Sequence, residues 1–472
     1  MFKFHLQEYN TNVRTEVIAG LVTFVTMAYI IIVNQSILGL TGIPAGAVVL
    51  ATCIAAAIGT TMMAIANVPY AQAPGMGLNA FFTFTVCFGL GFAWQQALAM
   101  VFICGIINFL ITVTRIRKHI IASIPRAMQS AIGAGIGIFI AYIGFKNASL
   151  VSFTSDPGTY LMLGDSPETA TIIAGSGAVP ALVAINTPLL IMSIVSIILM
   201  TVLMVKKVPG AILLSIIIST IIGAIIGLTS FSLSGYAAGL SDSFSQLGAV
   251  FGQSVLAIPA LFADPTKIVL VIATIFVFSL TDIFDTIGTF IGTGRSTGIF
   301  PEEELDNIIK TRGFQTRIDK ALLADSIATS TGALFGTSNT TTYVESAAGI
   351  TAGGRTGLTA LITAACFLLS IVFAPLVLAV PGWATAPALI VVGVLMAAPL
   401  KDINWHDITE AIPAFFAATT MAFFYSISTG IAFGFIFYFI TKLATGRQKE
   451  IHPVLAVVTA LFVLNFIIMA VV

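Results

Sequence analysis

Charged residues are scarce in this chain. Asp, Glu, Lys and Arg make up 8% of its 472 residues, whereas soluble globular domains carry roughly 25%, so a water-solvated fold is excluded. Cysteine is also rare: Cys53, Cys87, Cys104 and Cys366 all fall in apolar segments, and none is paired at metal-ligand spacing. We expect all four to be small buried hydrophobic side chains.

Sequence signatures of enzymatic or ATP-driven chemistry are missing as well. The chain contains no Gly-x-x-x-x-Gly-Lys-Ser/Thr loop, which argues against ATP-driven transport by this chain. Its apolar segments hold no nucleophile and base pair and no metal cluster, so an enzyme is not expected. A proton is the one cofactor-like species we expect, as a coupling ion. The net charge of zero gives no sign of a nucleic-acid partner, and none is expected.

Long apolar blocks are what the chain does contain. Hydrophobic residues make up 58% of the sequence and the mean hydropathy is +1.05. The blocks are about 20 residues long, enough to cross ~30 Å of hydrocarbon as helices. We predict an all-α integral membrane protein with fourteen spans, at 16–34, 46–67, 72–89, 95–114, 121–145, 188–205, 209–228, 268–290, 321–335, 340–351, 356–379, 384–400, 411–426 and 428–443. A further apolar segment, 453–471, is either another span or a helix packed along the bundle or the membrane interface.

Basic residues support this count, because Lys and Arg near span ends are retained on the cytoplasmic side of a membrane. With the N-terminus inside, the even-numbered connections should be basic, as Arg115, Lys206 and Arg312 illustrate. Of the 20 Lys and Arg residues, only Lys146 and Lys267 lie in predicted outside connections. The pattern predicts a multi-pass protein of the cell membrane with a cytoplasmic N-terminus.

Spans 3 and 10 are the least helix-like of the apolar segments. Fourteen spans favour two seven-span halves, inverted relative to each other because seven is odd, and these two spans then occupy matching places. Span 3 opens with Pro74, Gly75 and Gly77, which remove a donor or loosen the backbone, and span 10 opens with a β-branched run. We expect both to be extended first and helical afterwards, which in transporters marks a midplane substrate site.

Three acidic residues lie where acids are unfavourable. Asp282 and Asp285 are three residues apart on one face of span 8, and Glu345 lies at the break of span 10. An Asp at the bilayer centre costs roughly 2.5–3.5 kcal/mol on insertion scales, and spans 1, 3, 8 and 10 contain no Lys or Arg to neutralise it. We predict that the three carboxylates face protein or a cavity, with a proton as the neutralising partner. The alternative is that one Asp merely caps or bridges neighbouring helices.

Span 3 adds a candidate amide and several candidate aromatic rings. Asn79 offers a donor and an acceptor, which suits the edge of a heterocycle but equally suits a bridge between helices. Phe81, Phe82, Phe284 and Tyr343 are candidates to stack on an aromatic ligand. With 36 Phe in the chain, each of these rings serves packing as readily.

Four segments together resemble a known family. Residues 12–31 (NVRTEVIAGLVTFVTMAYII), 73–82 (APGMGLNAFF), 281–289 (TDIFDTIGT) and 340–349 (TTTYVESAAG) look like the AzgA-type purine permeases. These permeases form a branch of the nucleobase–cation symporter-2 family. The resemblance extends over nearly the whole chain, with the four motifs in the right order.

The resemblance implies a uracil-permease-type fold, in which the fourteen spans form a 7+7 inverted repeat. A core domain would comprise residues 16–114 and 268–379, and a gate domain would comprise 121–228 and 384–443, leaving 453–471 as a C-terminal apolar helix. Substrate would lie between spans 3, 8 and 10 of the core, facing the gate. The family's substrate-site positions correspond to Gly77, Asn79, Asp282, Asp285 and Glu345.

The resemblance also implies a function. The chain would import a purine nucleobase, namely hypoxanthine, guanine or adenine, together with a proton, and would assemble as a homodimer among membrane lipids. Which of Asp282 and Asp285 binds the base and which carries the proton stays open. The alternatives are an anion transporter of the same fold, because half-helix N-termini equally suit an anion, and a channel or sensor.

Overall fold

The computed structural model describes residues 4–114, 125–155, 160–162, 170–172, 178–229, 236–300 and 316–471. Helices dominate this part of the chain. The first eight are α1 Val13–Met27, α2 Tyr29–Leu38, α3 Ala45–Ile65, α4 Met76–Ala80, α5 Trp94–Val113, α6 Arg126–Asn147, α7 Pro188–Val205 and α8 Ala211–Ile225. A π-helix, Phe81–Gly89, continues α4. The predicted span 1 covers α1 and α2, span 3 covers α4 and the π-helix, and each of the other spans from 2 to 7 corresponds to one helix.

Three helices follow that the sequence pattern did not predict. They are α9 Tyr236–Val250, α10 Gln253–Leu256 and α11 Ile258–Leu261, in a region interpreted as an outside connection. The helix α9 was missed because polar residues interrupt its apolar ones, and it buries only Ser243, Leu247 and Val250.

The remaining helices correspond to spans 8 to 14 and to the C-terminal segment. They are α12 Ile268–Thr297, α13 Arg317–Phe335, α14 Ser346–Thr351, α15 Gly357–Ser370, α16 Ala374–Leu378, α17 Gly382–Met396, α18 Ile408–Phe423, α19 Ile427–Ala444 and α20 Pro453–Val471. Short 3-10 turns are Gly39–Thr41, Pro265–Lys267, Ile371–Phe373, Ala398–Asp402 and Gln448–Glu450. Among the described residues, nine helical segments are long and apolar enough to cross a membrane. The predicted class, an all-α multi-pass membrane protein, is confirmed.

Six short strands form three antiparallel pairs in the described ranges. The strands are β1 Gln72–Pro74, β2 Val151–Ser155, β3 Tyr160–Met162, β4 Ala170–Ile172, β5 Ala178–Leu182 and β6 Thr340–Thr342. The pairs β2–β5 and β3–β4 belong to the connection after α6. In the third pair, β1 lies against β6 with Ala73 opposite Thr341. The extended openings predicted for spans 3 and 10 are therefore present, and they hydrogen-bond to each other.

The helices pack in two main groups. One group contains α1, α3, α5, α13 and α15, and the other contains α6, α17, α18 and α19. The β1–β6 pair lies against α3 and α13 of the first group and against α12. The domain boundaries implied by the resemblance stay a prediction.

The C-terminal segment, whose location the sequence left open, is a helix on the bundle. The helix α20 packs on α19 and α12, and its Leu455, Val458 and Phe462 are buried. The Phe462 ring lies 6.2 Å from the Phe435 ring of α19. The segment is thus packed against α19 of the second helix group and against α12.

Candidate functional site

The β1–β6 pair brings the two broken spans together at one point. Beyond the paired residues, the Gly75 N–H donates to the Asn339 carbonyl at 2.9 Å and the Tyr343 N–H donates to the Ala71 carbonyl at 3.0 Å. The Tyr343 hydroxyl donates to the Pro74 carbonyl at 2.6 Å. Because extended backbone leaves its polar groups unpaired in a membrane, each broken span supplies the hydrogen-bond partners of the other. Helices α4 and α14 begin directly after this crossing.

Asp285 on α12 lies beside the crossing. A Cβ atom built on Gly75 would be 2.8 Å from the Thr341 hydroxyl and 3.6 Å from Asp285 Oδ2. The Asp285 side chain is exposed, although its neighbours Gly75 and Thr341 are buried. This combination is that of a side chain lining an internal space between helices.

Glu345 occupies the residue before α14, and its carboxylate is half-buried. The hydroxyl of Tyr29 donates to Glu345 Oε1 at 2.7 Å. Tyr29, at the start of α2, is fully buried, and its place in the site was not predicted from the sequence. Glu345 follows β6 by three residues, and Asp285 lies beside Gly75, next to Thr341 of the same strand. Two acids from different spans thus meet at the crossing.

Asp282, three residues before Asp285, has different surroundings. It is fully buried, and its Oδ2 accepts from Asn108 Nδ2 at 2.7 Å and from the Thr329 hydroxyl at 3.2 Å. Its Oδ1 has no hydrogen-bond partner within the described ranges. The Asn108 carbonyl in turn accepts from Ser279. Asp282 therefore joins α12 to α5 and α13 and does not line the space beside Asp285.

A fourth carboxylate, Asp325 on α13, was missed by the sequence interpretation. It is buried, and its Oδ1 accepts from Gln72 Nε2 at 2.9 Å, from the Thr286 hydroxyl at 2.8 Å and from the Thr342 hydroxyl at 3.0 Å. Asp325 lies one helical turn before Thr329, which donates to Asp282, so the two acids lie on facing turns of α13 and α12. The signal was available, since Asp325 is an acid within predicted span 9. These contacts connect both strands of the crossing to α12.

Asn79 and Gly77 on α4 also have defined neighbours. Asn79 is fully buried; its side-chain carbonyl accepts from the Ser338 hydroxyl, while its Nδ2 has no partner in the part of the chain that the structure describes. The geometry is that of an amide bridge between α4 and the approach to β6. A Cβ atom on Gly77 would lie 2.7 Å from Ile136 Cγ2 on α6, so α4 approaches the second helix group closely at Gly77.

The candidate stacking rings are mostly part of the core. Phe81 and Phe82 are fully buried, and the Phe81 ring packs edge-on against Phe278, with centroids 4.7 Å apart. Tyr343 is buried as well and is fixed by its bond to Pro74. The side chain of Phe284 lies outside the described residues. Within the described ranges, no cluster of three His, Cys, Asp or Glu residues could hold a metal ion.

Comparison with known proteins gives consistent matches over the whole chain. Residues 14–433 match the model of a permease family, Xan_ur_permease. The guanine/hypoxanthine permease PbuO of Bacillus subtilis (strain 168) is 39% identical, over 99% of this chain and 100% of that protein. The adenine permease AdeP of Escherichia coli (strain K12) is 37% identical, over 98% of this chain and 95% of that protein.

A solved structure shares the fold. The transmembrane domain of the cyanobacterial bicarbonate transporter BicA superposes with a TM-score of 0.60, covering 89% of this chain and 97% of that domain. The two sequences are 16% identical, so this likeness concerns the arrangement of helices alone.

Proposed function

The chain belongs to the permease family Xan_ur_permease, part of the nucleobase–cation symporter-2 group, and from this premise we propose that it imports purine nucleobases together with protons. Relatives at 37–39% identity over nearly the whole chain are named guanine/hypoxanthine and adenine permeases. The observation that carries the proposal is the meeting of Asp285 and Glu345 beside the β1–β6 crossing. A purine presents ring N–H groups, and guanine and adenine add exocyclic N–H₂ donors, for which two carboxylates are strong acceptors.

We assign different roles to the two acids of α12. Asp285 is exposed to the internal space and, with Glu345, would accept hydrogen bonds from the base. Asp282 is buried, accepts hydrogen bonds from Asn108 and Thr329, and lies next to a second acid, Asp325. Two acids buried this close together are most readily accommodated when they share a proton. We therefore propose that the coupling proton resides on the Asp282–Asp325 pair.

Transport would follow from movement of one helix group against the other. A proton and a base taken up together favour the loaded protein, and loss of the proton on the far side favours release. The direction of import, the cytoplasmic N-terminus, the location in the cell membrane and assembly as a homodimer all belong to this proposal. No enzymatic role is proposed, since the matched family consists of permeases.

An anion transporter of the same fold is the main alternative, and the likeness to BicA is the observation that favours it. A site lined by Asp285 and Glu345 would repel an anion, and the likeness concerns only the fold. A channel or sensor is the other alternative. Saturable uptake that depends on a proton gradient would exclude a channel.

The test is uptake of labelled hypoxanthine by the purified protein in liposomes with an imposed pH gradient. We expect saturable uptake that the gradient drives, and its loss in Asp285→Asn and in Glu345→Gln. The exposed acids Asp402 and Glu8 provide matched controls, because Asp402→Asn and Glu8→Gln make the same chemical change away from the site. Wild-type uptake by the two site variants would refute the assignment.

Competition by unlabelled bases defines the substrate. Hypoxanthine, guanine, adenine, xanthine and uracil would each be added at two external pH values. We expect purines other than the preferred one to compete and bicarbonate not to compete. Competition by bicarbonate, without competition by any purine, would instead support the anion transporter.

A further inference from the structure

Glu16 on α1 is a buried acid that the proposed transport mechanism does not use. Its side chain is fully buried, and it accepts from the backbone N–H groups of Arg355 at 2.9 Å, Thr356 at 3.3 Å and Thr359 at 3.1 Å. The Thr359 hydroxyl donates to Oε2 at 2.6 Å. A carboxylate with four donors is well compensated in a buried position.

The donors come from the segment that joins α14 to α15 and from Thr359 in the first turn of α15. The Arg355 guanidinium donates to the carbonyls of Ile350 at 2.6 Å and Gly354 at 2.8 Å, so it caps the C-terminal end of α14. The Arg317 guanidinium donates to the Arg355 carbonyl at 3.0 Å. Glu16 therefore holds the backbone of Arg355, the residue whose guanidinium caps the C-terminal end of α14.

The helix α14 also lies in direct contact with α1. A Cβ atom on Gly349 would lie 2.6 Å from the Ala19 carbonyl and even closer to the Thr23 hydroxyl, so only a glycine allows this approach. The same first span continues into α2, where Tyr29 donates to Glu345 at the other end of α14. Both ends of the short helix are thus attached to the first span.

We propose that Glu16 is a positioning residue for the substrate site, which sets the location of α14 and thereby that of Glu345 relative to Asp285. The helix has only six residues, about 9 Å at ~1.5 Å per residue, so a shift at its C-terminal end is transmitted to Glu345. The effect on uptake rests on the proposed function; the effect on α14 itself does not.

Thr359 offers a gentler probe than Glu16, whose replacement in a buried position could prevent folding. Thr359→Val removes the hydroxyl donor to Glu16 and keeps the shape, while Thr359→Ser keeps the donor. Glu16→Gln serves as the stronger variant, because an amide presents N–H₂ to backbone donors. Glu8→Gln is the matched exposed control.

The first measurement is hydrogen exchange of the purified proteins over residues 346–356, which needs no substrate. We expect faster exchange in Thr359→Val and Glu16→Gln, and wild-type exchange in Thr359→Ser. Unchanged exchange in both altered proteins would overturn the proposal. Equal effects of the Val and Ser variants would also overturn it, since the hydroxyl would then not be responsible.

The second measurement separates positioning from folding through hypoxanthine uptake kinetics. We expect the KM of Thr359→Val to rise about tenfold, because the free energy of a hydrogen bond to a charged group corresponds to a change of about this size. The KM of Thr359→Ser should stay near that of the wild type. A lower thermal stability with an unchanged KM would show a merely structural role and overturn the proposal. If the wild-type protein takes up no purine, the proposed function fails, and hydrogen exchange still decides whether Glu16 positions α14.

Discussion

Asp282 and Asp285 share one helical face, yet their surroundings differ sharply. Asp282 is fully buried between Asn108 and Thr329, and Asp285 is exposed to an internal space. Residues three apart on an α-helix are separated by about 60° around its axis, enough to face different neighbours where several helices meet. The two acids of α12 therefore differ in their surroundings. Asp282 is hydrogen-bonded between helices, and Asp285 is an accessible hydrogen-bond acceptor.

Tyr29 is the residue through which we expect Glu345 to be oriented. Tyr29→Phe removes the hydroxyl that donates to Glu345 at 2.7 Å, and a hydrogen bond to a charged group contributes about 1.5–3 kcal/mol. We predict that the KM for the purine rises about tenfold or more while the maximal rate changes little. Uptake kinetics in liposomes measure both quantities.

Tyr142→Phe is the matched control for this prediction. Tyr142 lies on α6, where its ring contacts Tyr425 at 6.2 Å, away from Glu345. An equal rise of KM in both variants would mean that the Tyr29 hydroxyl has no special part in orienting Glu345.

At the scale of elements, the broken spans depend on each other. Pro74 has no N–H to donate, and the threonines of β6 favour extended backbone, so neither segment forms a helix at its start. Pairing in register, with Gln72 opposite Thr342, satisfies the backbone groups that both segments would otherwise leave open in the membrane. The π-helix Phe81–Gly89 that follows α4 was not predicted, because no composition signal distinguishes it from α-helix.

At Gly77, α4 approaches α6 closely, and we predict that a larger residue there limits movement between the two helix groups. Gly77→Ala would place a methyl group 2.7 Å from Ile136 Cγ2, and overpacking of this kind typically costs about 1–3 kcal/mol. We expect a lower maximal uptake rate in Gly77→Ala. The double variant Gly77→Ala/Ile136→Ala should recover rate, because it removes the methyl group that collides.

Uptake rates of the two single variants and the double variant form a thermodynamic cycle. Losses that simply add in the double variant would contradict a direct clash between residues 77 and 136. Ile136→Ala alone is the control for the cavity that this change leaves.

For the whole molecule, the two helix groups meet in an aromatic cluster next to span 3. The Phe84 ring lies 6.0 Å from Phe139 and 5.4 Å from Tyr425, and the Ile427 N–H donates to the Thr85 hydroxyl at 3.1 Å. The proposed movement of one group against the other would have to break these contacts. The likeness to BicA concerns the fold alone, and a shared fold does not determine what a protein carries.

The helix α20 should contribute to the stability of the assembled bundle. Phe462 is buried against Phe435, and replacing a buried Phe by Ala typically costs about 3–5 kcal/mol. We predict that Phe462→Ala lowers the melting temperature in detergent by several degrees. Leu464→Ala is the control, because Leu464 is exposed on the same helix; equal melting temperatures of the two variants would refute the role.

The orientation in the membrane is open to a direct labelling experiment. The positive-inside pattern places the end of α6 outside and the end of α7 inside. In intact cells, we predict that an impermeant maleimide labels Asn147→Cys and leaves Lys206→Cys unlabelled until the membrane is permeabilised. Both positions are exposed, so accessibility alone does not distinguish them. The reverse labelling pattern would place the N-terminus outside.

The sequence by itself determined the fold class, the spans and the two interruptions, because these follow from hydrophobic length and from local backbone preferences at Pro74, Gly75 and the threonines of β6. It also found three of the four acids at the centre of the molecule. The helices α9 to α11 could not be predicted, since they lack a long apolar run.

Only the tertiary structure decided what surrounds each acid. The contacts of Glu345 with Tyr29, of Asp325 with Gln72 and of Glu16 with Thr359 join residues 253 to 343 positions apart in the chain. Local sequence pattern reports which face of a helix a residue occupies, and the partner on the facing helix is set by how the helices pack. The same physical reason explains why the Asn79 side-chain carbonyl accepts from Ser338 and why Asp285 is exposed; that both bind the substrate stays a prediction.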